Sequence, residues 1–127
     1  MSASPFSPFA DSIGIEVLER SCGHGIAALT LEDRHCNSMG IAHGGAIFTL
    51  ADHTFGAAQG ACRDAVSLEM HIRFIRPAKV GQRLIATATR MHHGKQTCFY
   101  QINIHDAEER LIACVTATGH VFEKREG

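Results

Sequence analysis

The chain has 127 residues, a length that fits one domain spanning 1–127 and leaves little room for a second. Hydrophobic residues make up 45% and charged residues 20%, enough for a packed core, so disorder is expected only at the ends. The formal net charge of −1 with histidine neutral gives no electrostatic reason to expect nucleic acid, and no apolar run approaches the roughly 20 residues that span a bilayer.

Residues 1–12 read as an N-terminal arm, in which Ser4-Pro5-Phe6-Ser7-Pro8-Phe9 has room for one helical turn and sets two phenylalanines against the body. Residues 1–10 lack a basic region followed by an apolar block, so no secretory signal is expected there. Ile13, Ile15 and Val17 alternate as in a strand, Cys22-Gly23-His24-Gly25 makes a turn, and Ala27, Leu29 and Leu31 return as a second strand. A polar loop over 32–40 follows.

Ile47, Leu50, Ala51, Thr54, Phe55 and Ala58 then fall on one face of an α-helix, the one long helix expected, with Gly60 as its stop. Gly56, Ala57 and Ala58 are small enough for another backbone to come close. After the helix the period becomes two: Val66, Leu68, Met70, Ile72 and Phe74 alternate with Ser67, Glu69, His71 and Arg73. Arg76-Pro77-Ala78-Lys79-Val80-Gly81 breaks that strand. Strands over 84–91, 98–104 and 111–121 follow, with turns at His92-His93-Gly94-Lys95 and Asp106-Ala107-Glu108-Glu109, and a charged, frayed tail at 123–127. The four late strands suggest an antiparallel meander. One long helix has no second helix layer to pack on, so the simplest α+β solution is a curved antiparallel sheet wrapped around it.

Five cysteines (Cys22, Cys36, Cys62, Cys98, Cys114) form an odd set without paired spacing and read as reduced thiols of a cytoplasmic protein. The histidines form no His-Glu-x-x-His pattern and there is no Cys-x-x-Cys pair, while His92 and His93 are adjacent and so point to opposite faces of a strand. No metal and no cofactor is expected. A serine hydrolase lacks support because no Gly-x-Ser-x-Gly elbow is present.

The chemistry concentrates in Ala42-His43-Gly44-Gly45-Ala46-Ile47-Phe48-Thr49-Leu50-Ala51-Asp52. Two glycines open an apolar helix whose mouth offers free backbone N–H groups to a developing negative charge. A carboxylate two turns further in offers a base or a nucleophile. Acyl transfer needs both parts. Asp52 shares a stripe with Phe48 and Phe55, where burial raises a carboxyl pKa while the positive helix end lowers it.

Asn37-Ser38-Met39-Gly40-Ile41-Ala42-His43-Gly44-Gly45, followed by Phe48-Thr49-Leu50-Ala51-Asp52, resembles the signature of hotdog-fold acyl-CoA thioesterases and is most similar to the PaaI thioesterases of phenylacetic acid degradation. Phe74-Ile75-Arg76-Pro77-Ala78-Lys79-Val80-Gly81 and His93-Gly94-Lys95-Gln96-Thr97 match at compatible spacing, so the resemblance runs from about Asn37 to His120. It implies a hotdog fold, a homodimer whose two sheets run into one another, further pairing into a homotetramer, and hydrolysis of an acyl-CoA. It places the oxyanion donor at Gly44, helped by Gly45, and the base or nucleophile at Asp52. His43 reads either as a polar group near the thioester or as a loop residue orienting the helix start. Asn37 reads as a contact to water or thioester, or as a turn residue. Ser67 is a weaker candidate for holding the attacking water, against an ordinary cross-strand hydroxyl. Arg76, Lys79, Arg90, His93 and Lys95 are grouped as contacts to the coenzyme A phosphates, with Gly94 offering an amide to the phosphate or pantetheine arm. Phe48, Phe55, Met70 and Phe74 line an acyl pocket or belong to the core.

Gly44 and Asp52 are eight residues apart, roughly 12 Å along a helix at about 1.5 Å per residue, whereas donor and base must both lie within about 3 Å of the reacting atoms. One helix cannot supply both to one carbonyl, so composite sites are expected, two per dimer, with Asp52 coming from the partner. Two other functions fit the same fold: a dehydratase of 3-hydroxyacyl thioesters, which needs a His–carboxylate pair around the acyl α-carbon, and a non-catalytic acyl-CoA-binding module.

Overall fold

The computed structural model describes residues 7–60, 62 and 65–122; the expectations for Phe6 and for the tail at 123–127 lie outside these. Helix α1 (Pro8–Ile13) starts at Ser7, whose hydroxyl accepts from the Ala10 N–H at 3.3 Å, has Pro8 in its first turn, and stops at Gly14, which takes a left-handed φ of 86°. Ile13 therefore ends a helix and does not begin a strand. The alternation that suggested a strand is cut by Gly14, and β1 (Glu16–Ser21) starts beyond it.

The remaining elements are β2 (His24–Thr30), α2 (Gly44–Ala57), β3 (Ala65–Phe74), β4 (Arg83–His93), β5 (Thr97–His105) and β6 (Leu111–Val121), with a short 3-10 turn at Asp33–His35 in the loop before α2. The six strands form one antiparallel sheet in the order β1-β2-β4-β5-β6-β3. Helix α2 packs on β2, β4 and β5. Ile47, Leu50, Ala51 and Phe55 close the core against Leu29, Leu84, Ile102, Ile104 and Val115. This is the α+β hotdog architecture.

Three expectations are corrected by the sheet. Only β4, β5 and β6 form a meander, because β3 pairs with β6 and becomes an edge. The connection over 75–82 is tied to the end of β2 by Leu31 N–H to Gln82 O at 2.9 Å and Gly81 N–H to Leu31 O at 2.8 Å, which delivers β4 beside β2. Second, His92 and His93 lie within β4, and the turn begins at Gly94, whose N–H bonds to Thr97 O at 2.8 Å. Third, β3 does not alternate evenly. Its register with β6 shifts between Ser67 and Glu69, leaving Leu68 as a bulge. Val66 and Leu68 are therefore exposed, while Met70 and Ile72 pack on the core.

The far end of α2 is seated on a glycine. A Cβ at Gly25 would come within 2.5 Å of the Ala58 nitrogen, so the helix backbone rests directly on β2. Helix α2 ends at Ala57 with Ala58 as its cap, earlier than the expected stop at Gly60. Cys22 and Cys62 are joined in a disulfide with Cα atoms 5.8 Å apart, contrary to the reading of five reduced thiols. Their separation of 40 residues carries no sequence signature, and only the seating of α2 against the β1–β2 turn brings them together. Cys36, Cys98 and Cys114 lie outside the disulfide.

Gly25→Ala is expected to destabilise the fold by about 2–3 kcal/mol, since backbone must shift to admit the methyl group. Urea unfolding of the variant measures this; a loss under about 0.5 kcal/mol would show that the helix seat is loose.

Candidate active site

The mouth of α2 is held by a web of short bonds from the preceding loop. Asn37 Oδ1 accepts from Met39 N–H at 2.8 Å and Ile41 N–H at 3.4 Å, so its carbonyl oxygen is engaged in shaping the loop. Ala42 N–H reaches Ala78 O at 2.8 Å and His43 N–H reaches His35 O at 2.7 Å. His35 itself is buried, with Nδ1 accepting from Glu32 N–H at 2.8 Å and Nε2 donating to Ile13 O at 2.6 Å. This histidine ties α1, the loop and the helix mouth together. Sequence reasoning passed over it because a polar loop has no periodicity to mark a buried position.

His43 is the N-cap of α2. Its Nδ1 accepts from Gly45 N–H at 2.8 Å, and its carbonyl accepts from Ala46 N–H at 3.0 Å and Ile47 N–H at 3.3 Å. An accepting Nδ1 carries no proton, so the neutral ring holds its proton on Nε2. The Gly45 N–H is therefore occupied by the cap, and the helix dipole is the route by which the sequence reading had Gly45 assist the oxyanion. The Gly44 N–H, at the first helical position, has no acceptor among the described residues. Both positions leave little room for a side chain. A Cβ at Gly44 would lie 3.1 Å from the ζ-carbon of Phe74, and one at Gly45 would lie 3.1 Å from His43 Nδ1.

Gly44, Phe48, Asp52 and Phe55 follow one flank of α2. That flank looks toward β6 and β3, because Gly44 meets Phe74 and Phe55 reaches the inner side of Gly119. Phe55 is buried, in edge-to-face contact with Tyr100 at 4.9 Å between ring centres, so it belongs to the core and not to a ligand surface. Phe48 and Asp52 are exposed on this flank. The Asp52 carboxyl is partly desolvated by its surroundings, which raises its pKa above the ordinary 3.8, while the neighbouring charge of His53 opposes the shift.

Ser67 pairs with Gly119, whose inner side faces the Phe55 ring, so Ser67 points to the helix side of the sheet. The even alternation read from sequence put it on the outer, polar side. The bulge at Leu68 reverses that and leaves Ser67 half-buried on the same side as Asp52.

The basic candidates do not form one group. Arg76 and Lys79 lie near the mouth, where Ile41 bridges to Lys79 and Arg76 N–H bonds to Ile112 O at 3.2 Å. Arg90, His93, Gly94 and Lys95 lie at the other end, where Arg90 N–H bonds to Gly23 O at 2.8 Å and Gln96 O accepts from Val121 N–H at 2.8 Å. Strand β4 runs between the two ends, and the seven steps from Arg83 to Arg90 span roughly 23 Å at about 3.3 Å per residue. On the other side of the mouth a pocket of about 190 Å³ opens between α1 and α2, lined by Phe9, Ile13, Arg34, His35, His43, Gly45, Ala46 and Thr49. Among the described residues no three His, Cys, Asp or Glu side chains converge as a metal site, and no helix is long and apolar enough to cross a membrane.

A six-stranded sheet wrapped on one long helix defines the hotdog class of folds. Comparison with known proteins agrees: residues 39–113 match the thioesterase superfamily. A putative esterase of Deinococcus radiodurans is 37% identical over 92% of this chain and 81% of its own length. The acyl-coenzyme A thioesterase PaaI of Escherichia coli K12 is 33% identical over 87% of this chain and 80% of its own. Among solved structures, a Thermus thermophilus protein superposes with a TM-score of 0.87 at 30% identity, covering 92% of this chain and 99% of that one. A Streptococcus mutans protein solved with acetyl CoA bound gives a TM-score of 0.81 at 28% identity, covering 89% and 92%. The chain belongs to the thioesterase superfamily, and within it to the PaaI-like enzymes.

The raised Asp52 pKa has a definite sign for stability. The folded chain holds that proton to higher pH than the unfolded chain does, so stability falls as pH rises from 3.8 through the folded pKa. Asp52→Asn removes this loss. Its unfolding midpoint at pH 7 is expected to equal or exceed the parent's, with the gap closing as pH is lowered toward 3.8. Denaturant titrations across that range check this, and a variant clearly less stable at pH 7 would make Asp52 a structural acid.

Proposed function

We propose that the protein hydrolyses an acyl-CoA to the free acid and coenzyme A, phenylacetyl-CoA or a hydroxylated phenylacetyl-CoA first among its substrates. The observation that carries this reading is the unoccupied Gly44 N–H at a glycine mouth, with Asp52 two turns along the same helix. Asp52 takes a proton from water as the water oxygen attacks the thioester carbonyl. The carbonyl oxygen becomes an oxyanion on the Gly44 N–H. Collapse breaks the carbon–sulfur bond, and the thiolate recovers a proton from the Asp52 carboxylic acid. The Ser67 hydroxyl, on the helix side of β3, orients the water. His43 shapes the donor by capping and offers its Nε2–H toward the leaving sulfur. Asn37 holds the loop that carries the mouth.

The site is composite in this reading. Gly44 and Asp52 share one continuous helix, so they remain roughly 12 Å apart within a protomer. A two-fold pairing along β3 is supported by its edge position and by the exposed Val66 and Leu68 beside it. Such pairing brings Asp52 and Ser67 of one subunit to the Gly44 mouth of the other. It also joins the two separated basic groups, Arg76 and Lys79 from one subunit with Arg90, His93, Gly94 and Lys95 from its partner, into a cradle for coenzyme A. Further pairing of dimers gives the tetramer, and the reaction suits a cytoplasmic enzyme using coenzyme A. The acyl group enters the 190 Å³ pocket beside Gly45; an engineered cavity of about 150 Å³ holds benzene, so one ring fits.

Release of free thiol from a panel of acyl-CoAs tests the activity, with aryl-acetyl substrates expected to lead. Water loss without thiol, or binding without turnover, would overturn it. Asp52→Asn is expected to lower kcat by about a thousandfold or more. Ala46→Leu narrows the pocket and should lower kcat/KM for aryl substrates by roughly 10-fold or more while acetyl-CoA is spared; equal losses on both would place the acyl group elsewhere. Heterodimers of Asp52→Asn and Gly44→Val chains should recover about half the parent activity, since one of their two sites has both groups intact. Inactive, verified heterodimers would contradict a shared site.

A further inference from the structure

Cys22 and Cys62 take no part in the hydrolytic site, yet they join two elements that carry it. Cys22 lies in the turn between β1 and β2, Cys62 in the connection from α2 to β3, and both are exposed. Backbone contacts already nest the end of α2 in that turn. Gly23 N–H donates to Ala58 O at 2.6 Å, Arg20 Nη2 reaches Gly60 O at 3.5 Å, and a Cβ on Gly60 would come within 2.7 Å of the Ser21 carbonyl carbon. Past Gly60, Cys62 N–H turns back to Gln59 O at 3.0 Å, the disulfide ties Cys62 to the β1–β2 turn, and the buried Gln59 side chain accepts from Ala65 N–H at 3.1 Å. Ala65 opens β3, and Ser67 is two residues on.

We propose that Cys22 and Cys62 form a reversible oxidation site, a thiol–disulfide couple that fixes the entry to β3 when oxidised and releases it when reduced. Exposed sulfurs are open to exchange with low-molecular-weight disulfides and thiols, unlike a disulfide sealed in a core. In the oxidising direction one thiolate attacks a small disulfide RS–SR and expels RS⁻. The second thiolate then attacks the mixed disulfide and expels another RS⁻, so that two protein thiols and RS–SR yield the protein disulfide and two RSH. The consequence for catalysis rests on the hydrolase reading above: release of the connection loosens Ser67 and lowers turnover without touching Gly44 or Asp52.

The intact protein is equilibrated in glutathione buffers from reducing to oxidising, and free thiols are counted by alkylation after denaturation. The oxidised protein should show three alkylated cysteines, Cys36, Cys98 and Cys114, and the reduced protein all five. Tm should fall by roughly 10 °C on reduction, and kcat for acyl-CoA by about 2–5-fold with KM little changed. Cys22→Ser and Cys62→Ser should each sit at the reduced Tm and ignore the buffer. Five alkylated thiols under oxidising conditions, or serine variants that still respond, would overturn the site. A Tm that responds while kcat does not would overturn the link to catalysis. If no acyl-CoA is hydrolysed in either state, the hydrolase reading fails while the thiol count and Tm still decide the couple.

Discussion

The cap on helix α2 sets everything else at the mouth. Four N–H groups at the start of a helix have no intrahelical partner. Here the His43 N–H goes to His35 O, the His43 ring takes that of Gly45, the His43 carbonyl takes that of Ala46, and the Gly44 N–H is left over. A histidine cap thus removes the competing donors and leaves one, fixed by the helix and backed by its dipole. The same contact leaves little room at position 45, because a Cβ there would lie 3.1 Å from the imidazole Nδ1. His35 holds His43 in place from behind, so the donor is positioned by a chain of bonds running back to α1.

Electrostatics at the other half of the site works in the opposite direction. Asp52 stands on a flank shared with Phe48 and Gly44, near enough to other groups to lose part of its hydration. A carboxylate in that setting costs stability at neutral pH and gains basicity, the compromise expected of a group kept for proton transfer.

Much of this was legible in the chain. The 3.6-residue spacing from Ile47 to Ala58 gave α2, and the run of small residues at its end foretold the seat on Gly25. The His-Gly-Gly run at the start of α2 and Asp52 two turns along it stand out in the sequence by the chemistry they allow. What escaped has a physical reason in each case. The face of Ser67 depends on one bulged residue, Leu68, and a single insertion reverses every side chain on one side of it. The pairing of β3 with β6 depends on a connection tied to the end of β2, a long-range contact no local pattern records. Spacing left Phe55 open between pocket and core, and its edge contact with Tyr100 puts it in the core. The Cys22–Cys62 bond joins residues 40 apart in sequence.

The central claim is that one subunit's Gly44 amide and the other's Asp52 meet on the same carbonyl. A crystal structure of the protein with a ketone analogue of an aryl-acetyl-CoA, in which carbon replaces the thioester sulfur, tests it most directly. The analogue's carbonyl oxygen should lie about 2.7–3.1 Å from the Gly44 nitrogen of one subunit, with the Asp52 carboxylate of the other facing its carbonyl carbon across one water. A carbonyl bound away from Gly44, or faced by Asp52 of the same chain, would contradict the account.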